Sequence, residues 1–220
     1  MVQPWEATLE SVLISGKPLP RLVAPATDAL TVRRRLSTTQ QERRARVVGV
    51  ATVLAERGGY DAVAMKDVAE QAEVALATLY RWFASKDHLL TEVLLTWIAE
   101  IEVVLEAEPP VGGRAADRVA ALMELIAEAI ASRPRLAAAV TQALLSFDDG
   151  VWDDEHEFHT AMAGWIGIAI GDEPVDQRDA VIEVLEHVCF SSLIGIARGR
   201  DTPGAMGARL ALTARLLLRR

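Results

Sequence analysis

Apolar side chains recur at intervals of three and four along most of this chain, and no segment alternates with period two. Val47, Val50, Ala51, Leu54 and Ala55 make the first stripe, the mark of a helix with one buried face. Ser37/Gln40, Thr38/Gln41 and Thr39/Glu42 each fit a capping box ahead of it, which leaves three registers for its start. Gly58-Gly59 stops it. Two short helices are expected over 65–72 and 75–83, joined by the tight connection Glu73-Val74. Ser85 is a good cap for a long helix over 86–107, ended by Pro109-Pro110 and Gly112-Gly113. Val119, Leu122, Met123, Ile126 and Ile130 give a stripe that closes before Pro134. The next covers 136–147 and closes at Asp148-Asp149-Gly150. Phe158, Met162, Trp165, Ile166, Ala169 and Ile170 give another, stopped by Gly171. Val181, Val184, Leu185, Val188 and Ser192 follow, ending by Gly199, and residues 205–219 form the last helix. The expectation is an all-α chain of about nine helices.

Residues 1–36 have no sustained period and hold Pro4, Pro18, Pro20 and Pro25, so they read as a flexible arm. Glu6, Glu10, Gly16 and two prolines interrupt the first twenty residues, which argues against a secretory leader. No uninterrupted run of eighteen apolar residues occurs, so no membrane span is expected and a cytoplasmic location is. Aromatics are only 5%, in keeping with helix over sandwich or barrel, and one cysteine excludes an internal disulfide framework.

Charge changes the picture once it is split. The whole chain carries −8, which taken alone speaks against a nucleic-acid binder, because such affinity rests on Lys and Arg meeting phosphate. Residues 1–91 hold twelve basic and ten acidic side chains, a balance of +2. Residues 92–220 hold eleven basic and twenty-one acidic ones, a balance of −10. A mildly basic head is followed by an acidic body, with Arg33, Arg34, Arg35, Arg43, Arg44 and Arg46 concentrated in the head.

Helix, tight turn, helix over 65–83 is the helix-turn-helix pattern. Val68, Ala69 and Ala72 supply the small packing face of its first helix, and Val74 plugs the turn. Ala75, Leu76, Ala77 and Thr78 are short enough for close approach to base edges in the major groove. Tyr80, Arg81, Trp82 and Lys86 lie at the far end, where phenol, indole and cations can hold phosphates, with Lys66 on the preceding helix. Arg43 and Arg44 suit either phosphate contact or solvent, and Arg33–Arg35 either a minor-groove arm or a solvated tail.

These strings are similar to a known family. Glu56-Arg57-Gly58-Gly59-Tyr60, Met65-Lys66-Asp67-Val68-Ala69, Thr78-Leu79-Tyr80-Arg81-Trp82-Phe83 and Ser85-Lys86 with Leu89-Leu90 resemble the DNA-binding domain of TetR-family bacterial regulators. Three positions depart from its habit. Ala64 stands where Ser or Thr usually caps the second helix, Glu73 where the turn usually has Gly, and Ala77 where Gly often precedes the Thr. Gly59–Val63 with Met65, Ala72–Ala75, Ser85–Leu90, Arg133–Leu136 and Leu193–Arg198 also look like the branch that represses cholesterol catabolism in actinobacteria, which responds to coenzyme-A thioesters.

The resemblance implies three parts. Residues 1–36 are the arm, 37–90 a three-helix DNA-binding domain, and 91–220 a helical ligand-binding and dimerisation bundle. It implies an apolar effector pocket in that bundle. The inward-facing Trp97, Met123, Leu144, Phe147, Phe158, Met162, Trp165 and Phe190 are candidates to line it, each equally readable as plain core. A homodimer is expected through the last two helices, with Val184, Val188, Ser191, Ser192, Gly195, Leu210 and Leu217 facing the second copy. His156 and His159 stand three apart beside an acidic run, where a metal site can be drawn. The preferred reading is a solvated acidic helix start, and neither metal nor cofactor is expected. No nucleophile elbow or glycine-rich phosphate loop occurs, so catalysis has no support.

The expected function is a ligand-responsive regulator, by family habit a repressor. It would bind palindromic double-stranded operator DNA as a dimer and be released by a small apolar or lipid-like effector, such as a CoA thioester. The alternative is a helical ligand- or partner-binding protein without specific DNA recognition, for which Ala64, Glu73 and the net acidity speak.

Overall fold

A computed structural model describes residues 38–146 and 152–219. Nine α-helices and no strand occur among them. We label them α1 (Thr38–Gly58), α2 (Met65–Gln71), α3 (Leu76–Trp82), α4 (Lys86–Ala107), α5 (Ala115–Ser132), α6 (Pro134–Leu144), α7 (Trp152–Ile170), α8 (Arg178–Ala197) and α9 (Pro203–Leu217). The arm over 1–36, with Arg33–Arg35, and Phe147 lie outside the described residues.

Local chemistry sets most of the boundaries. Gly59 leaves α1 with φ +72°, and a 3-10 turn, Tyr60–Ala62, carries the chain round to α2. The Ser85 hydroxyl accepts the His88 amide at 3.1 Å and caps α4. Thr202 does the same for Ala205 at 3.2 Å, ahead of Pro203 in the first turn of α9. Two arginines end α7. Arg118 donates to the Ala169 and Ile170 carbonyls at 2.8 and 2.7 Å, and Arg178 to those of Gly171 and Gly167 at 2.6 and 2.7 Å. Those of Ala169, Ile170 and Gly171 lie where a helix runs out of backbone donors, while the Gly167 carbonyl also accepts the Gly171 amide at 3.1 Å. The helix expected over 136–147 instead begins two residues earlier at Pro134, whose fixed φ suits a first turn, and ends at Leu144.

α4 is the central element. Fourteen of its 22 residues are buried, because it packs on α1 in the head and on α6 and α7 in the body. One apolar core runs continuously from Val47 on α1 through α4 to Leu218 after α9. α9 lies closest on α5, and Gly207 is the reason. A Cβ there would sit 2.8 Å from that of Ala127, so any side chain would push the helices apart. α8 is different: only Val181, Leu185, Cys189 and Ser192 of its 20 residues are buried. By length and composition it could cross a membrane, although Glu183, Glu186 and His187 break its apolar run. α8 packs on α6, α7 and α9 within the bundle.

Candidate DNA-reading helix and effector cavity

α3 is anchored from behind. Leu79 and Phe83 are fully buried, and Val74 and Trp82 pack on the same core. The register of the helix then turns the other positions outward. Ala75, Leu76, Ala77, Tyr80 and Arg81 are exposed, Tyr80 by 50%, and Thr78 is half-buried. Lys66 on α2 and Arg43 on α1 are exposed as well.

Three cations of the head are held by other groups of the head. Arg44 donates to the Glu92 carboxylate at 2.6 Å and lies over the Phe83 ring at 4.7 Å, joining α1 to α4. Glu92 is 6% exposed, and a buried carboxylate demands a partner, so a phosphate contact by Arg44 would compete with this pair. Arg46 donates to the Ala72 carbonyl at 2.8 Å, beyond the last turn of α2. Lys86 donates to the Tyr60 carbonyl at 3.1 Å and lies 3.6 Å from the centre of the Tyr60 ring. The Tyr60 hydroxyl in turn donates to Asp87 at 2.6 Å. Burial first, and the Asp87 hydrogen bond second, push the Tyr60 phenol up to about 12. Lys86 is thus a clamp on the α1–α2 turn, and any phosphate contact requires it to leave that ring. Trp82 is half-buried against the core, which restricts the reach of its indole.

The turn carries backbone strain. Glu73 sits at φ +53°, in the left-handed region that favours glycine. Ala64 starts α2 with no side-chain cap.

In the body, Leu94, Trp97, Ile98, Ile101, Ile126, Ile130, Ala137, Val140, Thr141, Leu144, Phe158, Met162, Trp165, Cys189 and Leu193 line a narrow cavity of about 50 Å³ between α4, α5, α6, α7 and α8. Trp97, Leu144, Phe158, Met162 and Trp165 of the expected lining are there. Met123 is fully buried elsewhere in the core. Phe190 is not in the lining but packs on Phe158 and His159, with ring centres at 6.1 and 5.5 Å. Sequence reasoning named only Trp97 of the α4 wall and Leu144 of the α6 wall. Leu94, Trp97, Ile98 and Ile101 stand at i, i+3, i+4, i+7, as do Ala137, Val140, Thr141 and Leu144, the spacing that would have found them. No charged side chain lines the cavity among the described residues. The Cys189 thiol is pushed up to about 12 by burial first and by the Glu186 carboxylate second, so it is neutral.

Behind Trp97 lies a charged joint between head and body. Arg133, between α5 and α6, donates to Glu100 of α4 at 2.9 Å and pairs with Glu56 of α1 at 3.5 Å. Its guanidinium lies 5.9 Å from the Trp97 ring centre. Burial raises the Glu100 carboxyl above its usual range, and the guanidinium opposes the shift. Arg135 donates to the Arg57 carbonyl near the end of α1.

On the outside, Val184 and Ser191 are exposed on α8, Val188 is half-buried, and Leu217 is exposed on α9. Leu210 is fully buried within the chain, because its side of α9 is the one laid on α5; it offers nothing to a second copy. Ser192 is also buried, its hydroxyl donating to the Val188 carbonyl at 2.7 Å and accepting from Arg209 at 3.1 Å. Gly195 is half-buried, and a Cβ there would meet Asp201 of the same chain at 3.3 Å. Leu212 and Leu216 of α9 are exposed and were not foreseen. His159 pairs with Glu186, while His156 is exposed.

Residues 48–93 match the family described as bacterial regulatory proteins, tetR family, and residues 112–217 match the tetracyclin repressor-like C-terminal domain. The HTH-type transcriptional repressor KstR of Rhodococcus jostii (strain RHA1) is 34% identical over 183 residues, covering 83% of this chain and 85% of that protein. The chain belongs to the TetR family of bacterial regulatory proteins. KstR of Mycolicibacterium smegmatis is 31% identical, over 83% of this chain and 90% of that protein. A TetR transcriptional regulator from Rhodococcus sp. RHA1 shares the fold with a TM-score of 0.72 at 24% identity, over 83% of this chain and 98% of that one. The FadR regulator of Bacillus subtilis, solved in complex with stearoyl-CoA, superposes with a TM-score of 0.56 at 15% identity, over 80% of this chain and 97% of that one. TetR-family membership makes the chain a helix-turn-helix regulator of transcription and not an enzyme.

Proposed function

We propose that this TetR-family regulator is a repressor that binds palindromic operator DNA as a homodimer and is released by a small apolar or lipid-like effector. The observation that carries the reading is α4, which packs on α1 of the head at one end and walls an apolar cavity along its middle. Ala75, Leu76, Ala77 and Thr78 enter the major groove, with Tyr80, Arg81, Lys66 and Arg43 on phosphates. Methyl groups at Leu76 and Ala77 favour thymine-rich half-site elements. The exposed apolar positions Val184, Leu212, Leu216 and Leu217, with the half-buried Val188, form the face for the second copy, with Ser191 among them.

The cavity is far smaller than an effector-sized site, which is typically some hundreds of Å³. Binding therefore has to part α4 from its neighbours, and α4 carries the head. Arg133 makes the link local, since Trp97, Glu100 and Glu56 surround one guanidinium. The effector shifts the equilibrium only by as much as it prefers the parted arrangement. Similarity to KstR, and the stearoyl-CoA seen with FadR, favour an effector of lipid or acyl-CoA type.

Operator selection from genomic DNA with the full chain is the test. An enriched palindrome is expected, with Arg81→Ala weakening it roughly tenfold and lowering the salt slope by about one. If no palindrome is enriched, a helical ligand- or partner-binding protein without specific DNA recognition is the better description.

A further inference from the structure

Of the fifteen residues lining the cavity, two carry a polar atom that is sealed from water and has no match. Trp97 and Trp165 are 5% and 3% exposed, and neither indole N–H meets an acceptor among the described residues. Almost all buried donors in folded chains are hydrogen-bonded, so two orphans in one lining call for a reason. The rest of the lining makes no hydrogen bond to them. Its aliphatic side chains have no lone pairs. Thr141 donates its hydroxyl proton to the Ala137 carbonyl at 2.7 Å on its own helix. Cys189 is a neutral thiol, a poor acceptor. Arg133 lies behind Trp97 and is held by Glu100 and Glu56, so it is not a counter-ion for anything inside.

We infer that the part of the effector that enters this cavity is an uncharged apolar body bearing a carbonyl-type acceptor, and that the Trp97 and Trp165 indole N–H groups are the donors that recognise it. The inference deepens the effector reading above and rests on it. Indole can only donate, so a hydroxyl that uses its oxygen, a ketone or an ester suits it. An ammonium group would face two more donors. A free carboxylate would be desolvated with no cation in the lining to offset the cost.

The test uses the full-length chain, uniformly labelled with nitrogen-15, and an isosteric trio of probes: acetophenone, α-methylstyrene and benzoate. The first two differ only in C=O against C=CH2. The indole N–H resonances are assigned with Trp97→Phe and Trp165→Phe. Acetophenone is expected to move the Trp97 or Trp165 indole proton downfield, α-methylstyrene to bind without that shift, and benzoate not to enter. The ratio of ketone to alkene affinity should then fall roughly tenfold in the Phe variant of the Trp that responds. That ratio removes the difference in hydrophobicity between the probes, and the wild-type spectrum stands even if a variant folds poorly. If both neutral probes bind with no indole shift and an unchanged ratio, the donor assignment is overturned and the effector reading survives. Preferred binding of benzoate overturns it too. If neither neutral probe binds, the inference and the effector reading fall together.

Discussion

The head and the body are built from the same kind of helix but match their buried polar groups to different degrees. In the head, Val47, Ala51, Ala55, Val63, Val68, Leu79 and Phe83 have no exposure at all. Its polar groups are tied to one another, Arg44 to Glu92, Tyr60 to Asp87 and Lys86 to the Tyr60 carbonyl. In the body, the side chains between α4 and α8 leave a cavity, and two of its polar atoms have no partner among the described residues. A surface that must present α3 to DNA in one geometry gains from close packing, since packed side chains transmit position. A site that takes in another molecule, as proposed for the body, gains from slack, since an incompletely packed lining has contacts still to make.

The largest effect should come from opening the filled region. Leu79→Ala removes a fully buried side chain behind α3 and should cost about 3 kcal/mol in denaturant unfolding, with operator binding lost at physiological temperature. A loss under 1 kcal/mol would mean that the head is not tightly packed. The next test adds volume on both sides. Ala51→Val should destabilise the head by about 2 kcal/mol through overpacking. Val140→Ile adds a single methylene to the cavity and should stabilise by about 0.8 kcal/mol while weakening any effector. Equal signs for the two would erase the comparison.

Backbone strain comes next. Glu73→Gly relieves a left-handed residue in the turn, and the gain, offset by glycine's greater freedom when unfolded, should be about 1 kcal/mol or less. Thermal unfolding reads it, and a lowered midpoint would show that φ is not the limiting term. The smallest effect lies at the joint. Burial holds the proton on Glu100 more tightly in the folded chain than in the unfolded one. Its contribution to stability is therefore full at low pH and declines as pH rises through the range just above 4.5. Glu100→Gln removes the titration, so wild-type stability relative to the variant should fall across that window. A flat difference would show that Arg133 fully compensates the burial.

Much of this architecture was readable from spacing alone. The Ser85 cap, the glycine exits after α1, α7 and α8, and the helix-turn-helix strings all depend on residues within a few positions of one another, and the structure places each where local chemistry puts it. The positions whose surroundings spacing does not reveal share a different cause. Arg44 and Lys86 are cations in a basic head, and only the fold brings Glu92 from 48 residues away and the Tyr60 carbonyl from 26 residues away to hold them. Leu210 has the spacing of an interface residue, and only the seat made by Gly207 turns it onto α5. Met123 and Ile126 share one stripe, yet only Ile126 reaches the cavity.

The sequence by itself determined helix order, most helix ends, the reading helix and the family, because caps, glycines and period are properties of neighbours along the chain. The tertiary structure alone decided which cations face outward, which apolar positions fall short of filling the core, and that Arg133 joins Trp97 to Glu56. Those depend on how helices distant in sequence meet, and a periodic stripe of apolar residues looks the same whether its partners fill the space or leave a gap.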